Sequence, residues 1–148
     1  MLIIAGISTP EKDFLKWRKR IAAAKLKNLK LVRHVKNLPG LLAKASVTVG
    51  TAGAAAYEIL FFSGKAVFIP YGGSPGREHS DQLARARLMK DLLGSAVIRP
   101  GELTGARLAA AIEVKIKEKK KRTVKNGSFF NGLKKTVDCL RKFHNGGN

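Results

Sequence analysis

The 148-residue sequence predicts an α/β domain: a parallel sheet with helices on both faces. Three observations carry that prediction. Short, unbroken apolar segments alternate with longer helix-like ones, and unbroken apolar strands mark a sheet buried on both sides. Glycine or proline closes several of these segments, at Gly6, Gly50, Gly64 and Pro70, where it ends a strand or lets the chain leave a helix. The length suits one domain able to bury a core.

Leu2-Ile3-Ile4-Ala5 stops at Gly6 and reads as a buried strand. Ser8-Thr9-Pro10-Glu11 opens a helix, with proline near the first helical position and an acid in the first turn. It runs to about Ala24, and Phe14, Leu15, Trp17, Arg18 and Ile21 give it mixed apolar and basic faces. Leu29 to Val32 is the second strand, Leu38 to Ala43 a short helix, and Val47-Thr48-Val49 the third strand, ending at Gly50. Gly50-Thr51-Ala52-Gly53 leads into a helix from Ala54 to Phe62, closed by Ser63-Gly64. Ala66 to Ile69, ended by Pro70, is the fourth strand. A polar loop from Tyr71 to Glu78 precedes a helix capped by Ser80 and running to about Leu93. Ala96-Val97-Ile98 is the fifth strand, and Thr104 caps a helix from about Gly105 into Lys117. The pattern is Rossmann-like over 1–117. A basic extension follows over 118–148: a solvated run, Lys119-Lys120-Lys121-Arg122, then one more helix from Asn131 to Phe143 with Leu133, Val137, Leu140 and Phe143 on one face. Asn145 to Asn148 are expected to be disordered.

Lysine and arginine number 29 against 10 acidic residues, a formal charge of +19. Such a surplus attracts polyanions: nucleic acid, anionic lipid or phosphate-bearing substrates. The basic residues cluster in Lys12 to Lys36 and Lys115 to Lys142, whereas Leu38 to Ala86 carries few charges. No apolar run approaches the ~20 residues of a membrane-spanning helix. Met1 to Ile7 is too short for a signal peptide and has no basic region before it. The single cysteine, Cys139, excludes an internal disulfide and fits a reducing, cytoplasmic setting. His34, His79 and His144 lack metal-ligand spacing, so no metal or other cofactor is expected.

Ligands of parallel α/β sheets bind at the carboxyl ends of the strands. Two segments stand there. Gly50 to Gly53, with a helix starting at about Ala52, offers unpaired amides, a positive helix end and small residues that admit an anion to the backbone. The alternative is that these glycines only make a tight turn and allow close helix–sheet packing. Glu58 is the one charge in the helix from Ala54 to Phe62 and shares a face with Ala54 and Ala55. A carboxylate there suits the paired hydroxyls of a ribose, or is an ordinary exposed helix glutamate. The second segment, Gly72 to Gln82, is polar. Its Asp81 and Gln82 either hydrogen-bond sugar hydroxyls or complement the helix dipole, and His79 reads as a loop histidine.

In this order the segments resemble glycosyltransferases of the GT-B type, closest to the family 28 C-terminal domain. That domain also occurs in the transferase adding N-acetylglucosamine to the peptidoglycan lipid precursor and in predicted bacterial glycosyltransferases. The matching stretches are Gly50-Thr51-Ala52-Gly53 with Tyr57-Glu58-Ile59-Leu60, and Gly64-Lys65-Ala66 with Phe68-Ile69-Pro70. Asp81-Gln82-Leu83 with Arg85-Ala86, and Leu103-Thr104 with Leu108-Ala109, complete the series. The resemblance spans about Leu2 to Ile112. It implies diphosphate binding by Thr51, Ala52, Gly53 and Ala54, chiefly through backbone amides. It further implies ribose binding by Glu58, base contacts from Arg33, His34 and Val35, and sugar recognition by Asp81 and Gln82, without a metal. Three alanines stand at 54–56, where relatives carry a bulky or hydroxylated residue, and Asp81 replaces a glutamine of the peptidoglycan enzyme. The family's domain usually opens with a further strand, glycine-rich loop and helix, and an acceptor-binding N-terminal domain supplies the expected catalytic base. No catalytic residue is singled out in this chain.

The resemblance therefore implies the donor-binding half of an enzyme that transfers a hexosyl or N-acetylhexosaminyl group from a nucleotide sugar, a UDP-sugar above all, to an acceptor hydroxyl. Alone it is expected to bind and not to turn over, either with a separate acceptor-domain protein as partner or as the remnant of a broken gene. An anionic membrane surface at the inner face of the membrane is a further expected contact. The alternative is a basic protein on a Rossmann-like scaffold that binds nucleic acid or anionic membrane. Nucleic acid ranks behind the donor, because aromatic residues are sparse in the basic segments and no RNA-binding motif is present.

Overall fold

The computed structural model describes residues 1–71, 80–119, 131–132, 135–138 and 141. The expected polar loop from Tyr71 to Glu78 lies outside them beyond Tyr71, as do His79, 120–122 of the basic run, Leu133, Cys139, Leu140, Phe143 and the 145–148 tail. The chain divides into two compact units, Met1–Leu38 and Pro39–Asn148.

The first unit is a strand–helix–strand: β1 (Leu2–Ile4), α1 (Glu11–Ala23) and β2 (Lys30–Val32). β1 and β2 run parallel, with Leu2, Ile3 and Ile4 opposite Lys30, Leu31 and Val32. Parallel neighbours need a crossover, and α1 supplies it. Pro10 stands at the N-cap and both first-turn acids, Glu11 and Asp13, face the positive helix end. The sequence reads β1 as buried, but Leu2, Ile3 and Ile4 keep 37–40% of their surface exposed. Among the described residues β1 pairs only with β2, and a two-stranded sheet has too little neighbouring structure to cover both faces of an apolar strand.

The second unit carries α2 (Leu38–Lys44, all but its first residue), β3 (Thr48–Gly50), α3 (Ala55–Ser63), β4 (Ala66–Phe68), α4 (Ser80–Leu93), β5 (Ala96–Val97) and α5 (Gly105–Lys117). Its sheet has the order β3-β4-β5, all parallel. The central strand is the core. Ala66, Val67 and Phe68 are at most 1% exposed, and successive strand residues point to opposite faces. Both faces of β4 are therefore covered, as the unbroken apolar run requires. α3 contributes Ala56, Ile59, Leu60 and Ser63 to the buried interior, and α4 contributes Ala86 and Met89.

The helix ends follow local chemistry. Thr104 caps α5, its Oγ1 accepting from the Arg107 amide at 3.1 Å. Gly64 leaves α3 with φ 69°, its amide donating to the Leu60 carbonyl. Gly94 leaves α4 with φ 66°, its amide bonding back to the Lys90 carbonyl in the αL exit pattern, and the Ser95 amide reaches the Met89 carbonyl at 3.4 Å. In the C-terminal region Gly132, 135–138 and Arg141 are helical, in line with a further basic helix.

A left-handed backbone costs an L-residue about 1–2 kcal/mol. Urea unfolding of Gly64→Ala should show a loss of that size. Gly101→Ala is the control: its Cβ would meet open space and its φ is not left-handed, so its midpoint should stay where it is. Equal midpoints for the two variants would refute the assignment of Gly64 as an obligatory helix exit.

Candidate functional site

The carboxyl ends of the second unit's strands converge on a cleft of about 490 Å³. Gly50 and Thr51 line it after β3, Ile69, Pro70 and Tyr71 after β4, and Pro100 and Leu103 after β5. The wall is mostly apolar. Polar character enters from Thr51, in the turn between β3 and α3.

The turn is tight because the helix packs close. A β-carbon at Gly50 would stand 2.9 Å from Ile59 Cδ1, and Ile59 is buried. Gly50 therefore serves helix–strand packing. Gly53 has a different environment: a β-carbon there would lie 3.5 Å from Thr51 Oγ1 and 4.0 Å from Gln82 Nε2, ordinary contact distances. Its bareness leaves room between the turn and Gln82 and is not demanded by packing.

α3 begins at Ala55, one residue after the Ala54 start and three after the Ala52 start that the sequence suggests. Ala54 is the N-cap and has no side chain to cap with. The first bond is instead a tightened one, from the Ala56 amide to the Gly53 carbonyl at 3.1 Å. The amides of Gly53, Ala54 and Ala55 thus sit at the helix entrance, where the helical ladder offers no acceptor. Thr51 and Ala54 are exposed, Gly53 is half-buried and Ala52 is wholly buried. Ala52 is the foot of the turn, and the other three present its surface.

Glu58 is exposed on α3, on the side that carries Ala54, Ala55, Tyr57 and Phe61 to the surface. The opposite side is buried through Ala56, Ile59, Leu60 and Ser63. Neither Asp81 nor Gln82 is buried, and both stand in the first turn of α4. Gln82 Oε1 accepts from the Tyr71 amide at 3.0 Å. That bond fixes the side-chain amide, so that Nε2 is the atom near Gly53. The start of α4 and the turn that leads into α3, distant in sequence, are therefore neighbours.

Arg85 joins them. Its Nη1 donates to the Ala52 carbonyl at 2.6 Å, and its Nη2 lies 3.4 Å from Asp81 Oδ2. The guanidinium also sits 6.0 Å from the centre of the Tyr57 ring, within cation–π range. One side chain thus ties the buried foot of the turn, the first-turn aspartate of α4 and an aromatic of α3. Sequence reasoning places Arg85 in a matching stretch without a task; its spacing of four from Asp81 is the only sequence signal for part of this.

Arg33, His34 and Val35 follow β2, at the carboxyl end of that strand, in the first unit. Arg33 is engaged inside that unit: it donates to the Thr9 carbonyl at 3.2 Å, pairs with Glu11 and stacks 4.6 Å over the Phe14 ring. His34 is exposed and Val35 half-buried. The structure thus brings together Thr51–Ala54 with Asp81 and Gln82, and places Arg33, His34 and Val35 in the other unit. Among the described residues no three His, Cys, Asp or Glu side chains converge, and no helix is long and apolar enough to cross a membrane.

A parallel α/β domain with a cleft over its strand ends, beside a glycine-flanked helix entrance, belongs to the class that binds ligands at those ends. Residues 5–138 match the model of the glycosyltransferase family 28 C-terminal domain, and the chain belongs to that family. It is the donor-binding half of a GT-B glycosyltransferase, a half that works with a nucleotide-sugar donor and an N-terminal acceptor domain. No curated protein matches the chain, and no solved structure does.

Removing the Arg85 guanidinium leaves the buried Ala52 carbonyl without its partner, at a cost of about 1–3 kcal/mol. Arg85→Gln should show that loss in urea unfolding, together with faster hydrogen exchange at Gly53–Ala56. Exchange in that turn indistinguishable from wild type would show that Arg85 does not hold it.

Proposed function

We propose that the chain binds a nucleoside diphosphate sugar, a UDP-sugar above all, and presents it for transfer of a hexosyl or N-acetylhexosaminyl group to an acceptor hydroxyl. The observation that carries this reading is the meeting of the two expected halves of the site: Gln82 beside Gly53, and Arg85 between Ala52 and Asp81. Thr51, Gly53 and Ala54 receive the diphosphate at the entrance of α3, with Ala52 as the anchor. Backbone amides and the helix dipole offset the charge that grows on the leaving diphosphate. Asp81 and Gln82 hydrogen-bond the sugar. Glu58 accepts from the ribose diol, and Arg33, His34 and Val35 contact the base. No metal is given a role. Binding alone does not transfer a sugar: the acceptor and the base that deprotonates it come from the acceptor-binding domain, on this chain's partner or on the same polypeptide.

The basic surface supports a second contact. Lys12, Lys16, Lys19 and Arg20 are all exposed on α1, and each basic residue near an anionic lipid surface contributes about 1 kcal/mol. In this reading the surface serves peripheral attachment beside a membrane-borne acceptor. Polyanion contacts collapse steeply with salt, whereas the donor site, built on hydrogen bonds to fixed amides, weakens little.

Titration of 15N-labelled protein with UDP, UDP-N-acetylglucosamine and GDP should shift the amides of 50–58. The absence of a shift with all three overturns the reading. Glu58→Gln should weaken UDP binding about tenfold, the worth of one charge-assisted hydrogen bond, and should abolish the preference for UDP over its 2′-deoxy analogue. The same protein incubated with donor and acceptor should release no UDP until an acceptor-binding domain is supplied.

A further inference from the structure

The second unit has another cavity, at the opposite end of its strands. It measures about 400 Å³ and is lined by residues that precede β4 and β5 and by the last turn of α5, among them Lys65, Ser95, Lys115, Glu118 and Lys119. Three ammonium groups face one carboxylate there. What holds the lysines in place matters more than their number. Lys65 Nζ donates to the Ile116 carbonyl at 3.1 Å. Lys115, with a side chain only 8% exposed, donates to the Gly94 carbonyl at 2.5 Å and to Glu118 at 2.6 Å. A carbonyl orients an ammonium without neutralising it, so two positive charges are fixed at this wall and only one is offset. Each ammonium carries three N–H donors; these bonds use one of Lys65's and two of Lys115's.

The lining has a second anomaly. Ser95 is 5% exposed and its Oγ has no hydrogen-bond partner. A buried hydroxyl left without a partner is costly, and hydrogen-bond capacity of this kind is retained where something else satisfies it. Gly94 and Gly64 in their left-handed turns bring the backbone to the same wall without side chains.

We propose that this cavity is an oxyanion site for a phosphate group, separate from the donor cleft. Lys65 and Lys119 approach from the exposed side, Lys115 supplies its remaining N–H from within, and Ser95 completes the set after a small shift of its hydroxyl. Glu118 opposes the ligand and tunes the site towards weak, exchangeable binding. The phosphate has two sources with the same chemistry: a free phosphorylated metabolite or inorganic phosphate, and the headgroup of an anionic phospholipid. The site does not depend on the donor reading, since no residue is shared between the two cavities.

The test is a titration of the full chain with sodium phosphate against chloride at matched ionic strength, followed by 15N amide shifts. The amides of Gly64, Lys65, Gly94 and Ser95 should move together in saturable fashion while those of 50–58 stay still. The pair Lys65→Gln with Lys119→Gln should weaken phosphate about tenfold or more, Ser95→Ala should weaken it with folding intact, and Glu118→Gln should tighten it. Lys27→Gln with Lys30→Gln removes the same charge from exposed positions elsewhere and should change nothing. Equal losses from the two lysine pairs, or no saturable shift at Gly64–Lys65 and Gly94–Ser95, overturn the site. Sedimentation with phosphatidylglycerol and phosphatidylcholine vesicles separates the sources. Phosphatidylglycerol binding that is competed by phosphate and lost in the Lys65/Lys119 pair assigns the headgroup; vesicle binding unchanged in that pair, with phosphate binding lost, assigns the soluble anion.

Discussion

β4 is three residues long and has no exposed side chain on either face. That constraint organises the second unit. A strand buried on both faces needs strands on both edges and cover above and below. β3 and β5 supply the edges, and the buried sides of α3 and α4 supply much of the interior around Phe68 and Met89. Once β4 is central and its neighbours are parallel, the segments leaving the strands gather at one end and those entering them at the other. The two cavities of the unit occupy those two ends. Their positions follow from the direction of three short strands.

The character of each end follows from what the helices bring there. At the carboxyl ends, α3 enters with bare backbone because 52–56 contain only alanine and glycine, and Ala54 offers no side-chain cap. Arg85 compensates from α4 by binding the Ala52 carbonyl, so the turn is held from below while its upper surface stays open. At the amino ends, α5 returns Lys115 to the Gly94 carbonyl, where Glu118 offsets its charge, and Lys65 on the Ile116 carbonyl leaves that end electropositive. In both places a basic side chain caps a carbonyl of a glycine-bearing turn, which leaves donors facing outward.

Membership of the glycosyltransferase family makes the chain a donor-binding domain, and the carboxyl-end cleft of its second unit has a mostly apolar wall beside the entrance of α3. The first unit carries the other expected contacts, Arg33, His34 and Val35, after β2. There Arg33 fastens the start of α1 through Thr9, Glu11 and Phe14.

The order of strands and helices was legible in the sequence because each rests on local physics: unbroken apolar runs, a threonine hydroxyl at the right offset at Thr104, a glycine after Ser63. The candidate turn at Gly50–Gly53 and the Asp81–Gln82 pair were legible for the same reason, as residue types at element ends. Burial was not, where it depends on what lies beside an element: β1 is as apolar as β4, yet Leu2, Ile3 and Ile4 stay partly exposed, since only one strand pairs with them. The different duties of Gly50 and Gly53 were illegible too, because only the approach of Ile59 separates them. The Arg85 bond to Ala52 spans 33 positions, and the lysine wall joins Lys65 to residues near 116. Sequence alone determined the elements and the chemistry at their ends, because those are set within a few residues. Which ends meet, and which charges are pinned without being neutralised, was decided by tertiary structure, because contacts between distant segments exist only once the strands have taken their order.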